Sequence, residues 1–207
     1  MARRTKEDAQ ATRAAVLDAA ERVFLRRGVT RTSLAEIAQA AGVTRGAIYG
    51  HFKNKAELFT AMMERVTQPL EAEIARLAET GAAAGDLLTQ LRERVRAAAR
   101  QIVTDAQTRR VVEIAMLMVE HVDELGELRT RRAQAAQATA RRLGLILAKA
   151  ARQRGLRAPA SATALARALD ALIFGLINRW LLEPGFDLEA ETCQAIDAYL
   201  RGIGLPP

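Results

Sequence analysis

Residues Thr44–Lys55 read T-R-G-A-I-Y-G-H-F-K-N-K, and their side chains suit base edges and the phosphates beside them. Arg45 can donate to guanine or to a phosphate, and the Ala47 methyl can meet a thymine methyl. Thr44, Tyr49 and His51 carry donors of the kind that contact phosphates. Gly46 and Ala47 keep bulk low, so a helix carrying them can approach a duplex closely. Lys53 and Lys55 flank the start of the next helix, whose free amides form an anion site. Thr32 and Ser33, just ahead of the preceding helix, are assigned to the same surface. Arg3, Arg4 and Lys6 can follow a backbone or enter a minor groove.

Short helices must hold these side chains. Val16, Leu17, Ala20, Val23 and Phe24 recur at helical spacing within Ala9–Arg27, and Gly28 ends that helix. Ser33 followed by Glu36 is a capping box, so a second helix starts there with Leu34, Ile37, Ala38 and Ala41 facing inward. Gly42 supplies the positive φ a tight turn needs. Thr44 caps a third helix through about His51, which Val43 and Ile48 pack against the first two. Two short helices and a glycine turn make a helix-turn-helix. A second box, Asn54 with Glu57, opens a longer helix carrying Leu58, Phe59, Met62 and Val66.

The rest also reads as helix. The helix opened at Asn54 is expected to continue through Pro69–Glu79, and further segments are expected at Asp86–Val103, Asp105–His121, Leu125–Arg154, Ala162–Leu182 and Leu188–Ile203. A linker (Thr80–Gly85) and a loop (Gly155–Ser161) separate some of them. Alanine, leucine, arginine and glutamate dominate, and alternating strand patterns do not occur. The expected fold is all-α with about nine helices. Residues 1–55 are expected to form a small head and residues 56–207 a larger helical body.

Composition removes several classes of function. One cysteine, Cys193, and two histidines, His51 and His121, cannot build the common zinc frameworks, so no metal site is expected. No nucleophile-elbow, zincin, phosphate-loop or dinucleotide fingerprint occurs, so neither an enzyme nor a cofactor is expected. No apolar run approaches the roughly 20 residues of a membrane span. The basic start lacks an apolar stretch of signal-peptide type, and the lone cysteine fits a reducing compartment, so a cytoplasmic protein is expected. Charge is uneven: 12 lysines and arginines face 7 acidic residues through Thr67, against 19 and 17 beyond it. A basic segment on a near-neutral body points to a polyanion. A membrane surface is the competing partner, but it leaves the capping boxes and the glycine turn without a purpose.

The string from Ala41 to Lys55, with Thr32-Ser33-Leu34 before it and Ala56-Glu57-Leu58-Phe59 after it, resembles the TetR family of bacterial transcriptional repressors. Ala2–Lys6 and Gly175–Leu181 are similar to its AcrR-type branch, which regulates multidrug efflux operons. The resemblance implies nine helices. The first three bind DNA, the fourth to seventh enclose a ligand pocket, and the last two form a homodimer through a four-helix bundle. It also implies repression of an inverted-repeat operator, relieved by a small hydrophobic or cationic effector. Control of a metabolic or stress operon by an unrelated effector is the alternative. Family members often carry an aromatic residue where this chain has Gly50, which removes one contact to the duplex.

For the implied pocket, Met62, Met63, Met116 and Met118 offer flexible side chains suited to varied apolar ligands. Val66, Ile102, Leu117 and Phe174 extend the apolar walls. Glu113, Glu120, Asp170 and Asn178 are polar groups embedded in apolar helices, and a buried carboxylate needs a partner. Arg110, Arg179 or a cationic ligand are the candidates. For the dimer, the helix carrying Leu165, Leu172, Leu176 and Trp180 is too apolar for one buried stripe. With Ile196, Tyr199 and Leu200 of the last helix it is expected to form a twofold interface.

Overall fold

The computed structural model describes residues 6–79, 85–119, 126–157 and 161–206. Among them the chain forms nine α-helices and no strand: α1 (Lys6–Arg27), α2 (Leu34–Ala40), α3 (Arg45–His51), α4 (Lys55–Glu79), α5 (Leu87–Thr104), α6 (Ala106–Leu117), α7 (Gly126–Gln153), α8 (Ala162–Leu182) and α9 (Leu188–Gly202). No helix among the described residues is long and apolar enough to cross a membrane. Two boundaries depart from the sequence reading, and the continuation of α4 past Pro69 agrees with it. α1 begins at Lys6 rather than Ala9, with Glu7 and Asp8 favouring its positive end. α4 runs unbroken through Pro69, which costs one backbone bond but does not stop the helix. α6 ends at Leu117, short of the expected His121. Arg3, Arg4, Glu120, His121 and the linker residues 80–84 lie outside the described residues.

Packing divides the chain into two compact units: Met1–Thr67 with Gln107–Arg131, and Gln68–Ala106 with Arg132–Pro207. The first unit has its own core. Val16, Leu17, Ala20, Val23 and Phe24 of α1 meet Ile37 of α2, Ile48 of α3, and Leu58, Phe59 and Met62 of α4. Val111, Ile114 and Ala115 of α6 join the same cluster, so α6 packs with the first three helices. The apolar stripe read from α1 is therefore the centre of this unit.

The second unit is built around α5 and α9. Leu87, Leu88, Leu91 and Val95 of α5 share a core with Ile196 and Leu200 of α9, with Leu143, Ile146 and Leu147 of α7, and with Ala166 and Leu169 of α8. Ion pairs flank the α5–α9 seam: Arg92 with Asp197 at 2.8 Å, and Arg96 and Arg100 with Glu189 at 2.6 Å each. Gly144 lets α7 and the start of α8 come close, since a Cβ there would stand 3.2 Å from the Thr163 backbone.

Candidate nucleic-acid interface

The head is assembled by local signals. Ser33 Oγ accepts from the Glu36 amide at 3.2 Å, and the Glu36 carboxylate accepts from the Ser33 amide at 2.8 Å, closing the capping box of α2. Those Ser33 bonds hold the Glu36 carboxyl below its usual range, with Arg27 adding to the effect. Gly42 turns the chain at φ +68°, in the left-handed region, where an L side chain is strained. Thr44 Oγ1 accepts from the Ala47 amide at 3.2 Å and starts α3. Asn54 caps α4 by accepting from the Glu57 amide at 2.8 Å, while Glu57 accepts from the Lys53 amide at 2.7 Å. Ile48 is fully buried and fixes which face of α3 points outward.

That outward face carries Thr44, Arg45, Gly46, Tyr49 and Gly50, all exposed. Tyr49 is 55% exposed, and nothing lies within 4 Å of a Cβ built on Gly50. Neither Arg45 nor Tyr49 has a polar partner among the described residues, so their donors are free for a ligand. Ala47 and His51 are half-buried, the imidazole lying 6.3 Å from the Phe52 ring. Phe52 in turn carries the Arg13 guanidinium 5.3 Å above its centroid, tying α1 to the end of α3.

Three residues placed on this surface by sequence do other work. Thr32 is buried, and its hydroxyl donates to the Gly28 carbonyl at 2.8 Å, steadying the α1–α2 loop. Ser33 is exposed, but its hydroxyl donates to Glu36 at 2.9 Å while capping α2. The Lys55 ammonium donates to the Thr30 carbonyl at 2.8 Å and the Thr32 carbonyl at 3.0 Å. It lines an open concavity together with Thr30, Arg31, Thr32, Ser33, Leu34 and Glu36. Sequence reading misses the Lys55 bonds because their carbonyls lie 25 and 23 residues away.

The expected effector residues fall in both units. Met62 is fully buried in the first core, with Met63 and Val66 packed half-buried against it. Glu113 and Leu117 of α6 are half-buried. In the second unit Ile102 is 6% exposed. Asp170 and Asn178 are half-buried, and Phe174 stands 47% exposed on α8. Burial pushes the Asp170 carboxyl up from its usual range. The arginines suggested as carboxylate partners are engaged elsewhere: Arg110 pairs with Glu21 at 3.6 Å and Arg179 with Glu183 at 2.7 Å.

The expected dimer set is likewise redistributed. Ile196 and Leu200 are fully buried in their own unit's core and offer no surface to a second chain. Trp180 is 7% exposed. Tyr199 donates to the Leu165 carbonyl at 2.7 Å, and both side chains pack on the same core. Leu172 and Leu176 are half-buried, whereas Ala168, Ala171, Phe174, Gly175 and Leu182 of α8 face solvent.

A glycine-turned pair of capped helices, with a basic side chain and a phenol standing free on the second, defines a helix-turn-helix nucleic-acid-binding protein. Residues 16–62 match the family model for bacterial regulatory proteins of the tetR family, and residues 86–204 match that for the C-terminal region of MAATS-type transcriptional repressors. The chain is 41% identical over 208 residues to the HTH-type transcriptional regulator TtgR of Pseudomonas putida, covering 100% of this chain and 98% of that protein. It superposes on the crystal structure of native NalD with a TM-score of 0.84 at 37% identity, covering 94% of this chain and 98% of that one. NalD is described as the secondary repressor of the MexAB-OprM multidrug efflux pump in Pseudomonas aeruginosa. The SmeT–triclosan complex, SmeT being the repressor of a Stenotrophomonas maltophilia efflux pump, gives a TM-score of 0.82 at 32% identity, covering 93% and 91%. The chain belongs to the tetR family of DNA-binding bacterial transcriptional regulators.

Proposed function

We propose that this regulator is a homodimeric repressor of a multidrug efflux operon, which it leaves when a small apolar or cationic molecule binds. Residues 1–55 supply the reading head and residues 56–207 the effector and dimer body. Arg45 and Tyr49 contact the duplex from the major-groove side of α3, while Gly46 and Gly50 let the helix backbone come near. The observation that carries this reading is the free, exposed pair Arg45 and Tyr49 on α3, in a chain similar along its whole length to TtgR. Twofold pairing through the solvent-facing strip of α8 supplies two heads. Heads about 34–36 Å apart reach successive major grooves, so the operator is an inverted repeat. A repressor of this kind works beside the chromosome, in the cytoplasm.

The effector class follows from the half-buried methionines and from Asp170, a carboxyl without a hydrogen-bond or ion-pair partner among the described residues. The similarity to the triclosan-bound SmeT supports a compact apolar effector. The test is selection of duplexes from random-sequence DNA by the purified protein, followed by footprinting and titration with triclosan. A palindromic consensus, protected on both half-sites and released by triclosan, is expected. Recovery of no consensus refutes the reading of the head. A consensus that triclosan does not release refutes this assignment of the effector class.

A further inference from the structure

Helix α1 buries one carboxylate. Glu21 is 2% exposed and lies in register with Leu17 and Phe24, inside the apolar stripe. Its partners come from two other helices. Arg65 of α4 donates to it at 3.3 Å and is itself held by Asp18 at 2.8 Å. Gln107 of α6 donates at 2.9 Å, and Arg110, one turn further along α6, stands at 3.6 Å. At the other end of α6 the Met118 carbonyl accepts from the Val29 amide at 3.1 Å. Between these ties Val111, Ile114 and Ala115 bury against α1.

Apolar packing alone holds two helices together but tolerates sliding and rotation, because it is non-directional. A buried carboxylate adds little net stability, since desolvation offsets much of the attraction. What it adds is a fixed register, because a displaced partner leaves a buried charge uncompensated. Helix α1 also carries the reading head: Ile48 of α3 and Ile37 of α2 pack into the same core. The chain of contacts therefore runs from α3 through α1 to Glu21, and from Glu21 to the first turns of α6.

We infer that Glu21 is a positioning residue that locks α6 and α4 onto α1, so that DNA on the reading head and the conformation of α6 report on each other. The inference rests on the DNA-reading assignment of α3. Coupling of this kind is reciprocal: whatever shifts α6 must shift affinity for DNA by the same factor. No effector is needed to measure it.

The experiment is hydrogen exchange of the full-length protein, free and with a duplex recovered by the selection described above. In the wild type the duplex slows exchange of α3 amides and, through Glu21, of α6 amides by about fivefold or more. Glu21→Gln removes the charge. The double variant Gln107→Ala/Arg110→Ala strips only the α6 side and leaves the Glu21–Arg65 pair, so it keeps the test open should Glu21→Gln not fold. In each folded variant the duplex is expected to protect α3 as before and no longer to protect α6. Duplex-dependent protection of α6 that persists in the double variant overturns the inference, as does its absence from the wild type. Absence of protection at α3 in the wild type overturns instead the DNA-reading assignment on which it rests.

Discussion

Replacing Lys55 with methionine separates two roles that a lysine at the start of α4 can play. As a phosphate contact it contributes to DNA binding and little to folding; as a clamp it does the reverse. The structure has the ammonium donating to two backbone carbonyls, Thr30 and Thr32, from a half-buried position. Hydrogen bonds from a charged donor contribute roughly 1.5–3 kcal/mol each. The loop carbonyls can take up water once the ammonium is gone, so about half of that sum survives as a net loss, roughly 1.5–3 kcal/mol. Methionine preserves the length of the stem and its packing, so the loss reports on the ammonium. For a chain of this size the melting temperature should fall by roughly 3–12 °C. DNA binding supplies the second arm. A lost phosphate contact lowers the slope of log K against log salt by about 0.9 for each subunit. The clamp predicts an unchanged slope, measured where the variant is fully folded. An unchanged melting temperature with a reduced salt slope would refute the clamp and restore Lys55 to the DNA surface.

Other expectations follow from single features. Gly42→Ala meets no atom within 4 Å but must hold φ +68°, so it should destabilise the protein by about 1–2 kcal/mol in urea unfolding; no loss would contradict the left-handed turn. Bonds from Arg100 and Arg96 bring the Glu189 carboxyl from 4.5 down to about 2. A depressed carboxyl stabilises the fold above its unfolded value and loses that contribution as pH falls. The stability gap between wild type and Glu189→Gln should therefore close between pH 4.5 and 2, and a gap that stays constant through that window would exclude the effect. Cys193 is buried, and burial pushes its thiol up, so a disulfide reagent should label the folded protein far more slowly than the urea-unfolded one; rapid stoichiometric labelling of the folded state would contradict that burial.

How much was legible in the sequence depended on how local each interaction is. The capping box at Ser33–Glu36, the Asn54 cap of α4, the glycine turn at Gly42 and the Thr44 cap are all short-range, and each stands where the residues indicate, although Glu57 reaches back to the Lys53 amide rather than to Asn54. The exposed face of α3 was equally legible, because Ile48 alone fixes its rotation. The internal bonds of Lys55 were not legible, since a lysine near a basic helix looks the same whether it faces solvent or the carbonyls of a distant loop. Glu21 was passed over, although its spacing of four from Leu17 and three from Phe24 put it inside the buried stripe. A charged residue in such a stripe is the available signal for a buried ion pair. Ile196 and Leu200 were placed on a dimer surface for the converse reason. Helical periodicity identifies an apolar face but not whether α5 of the same chain or a second chain covers it.

The central claim is that α3 reads DNA through Arg45 and Tyr49. It is tested most directly by the affinity of Arg45→Ala and Tyr49→Ala for the selected duplex, with unfolding curves recorded alongside. Neither side chain has a polar partner among the described residues, so stability should remain within about 0.5 kcal/mol of the wild type. Duplex affinity should fall by about 1–3 kcal/mol in each variant. Wild-type affinity in both variants would contradict the assignment.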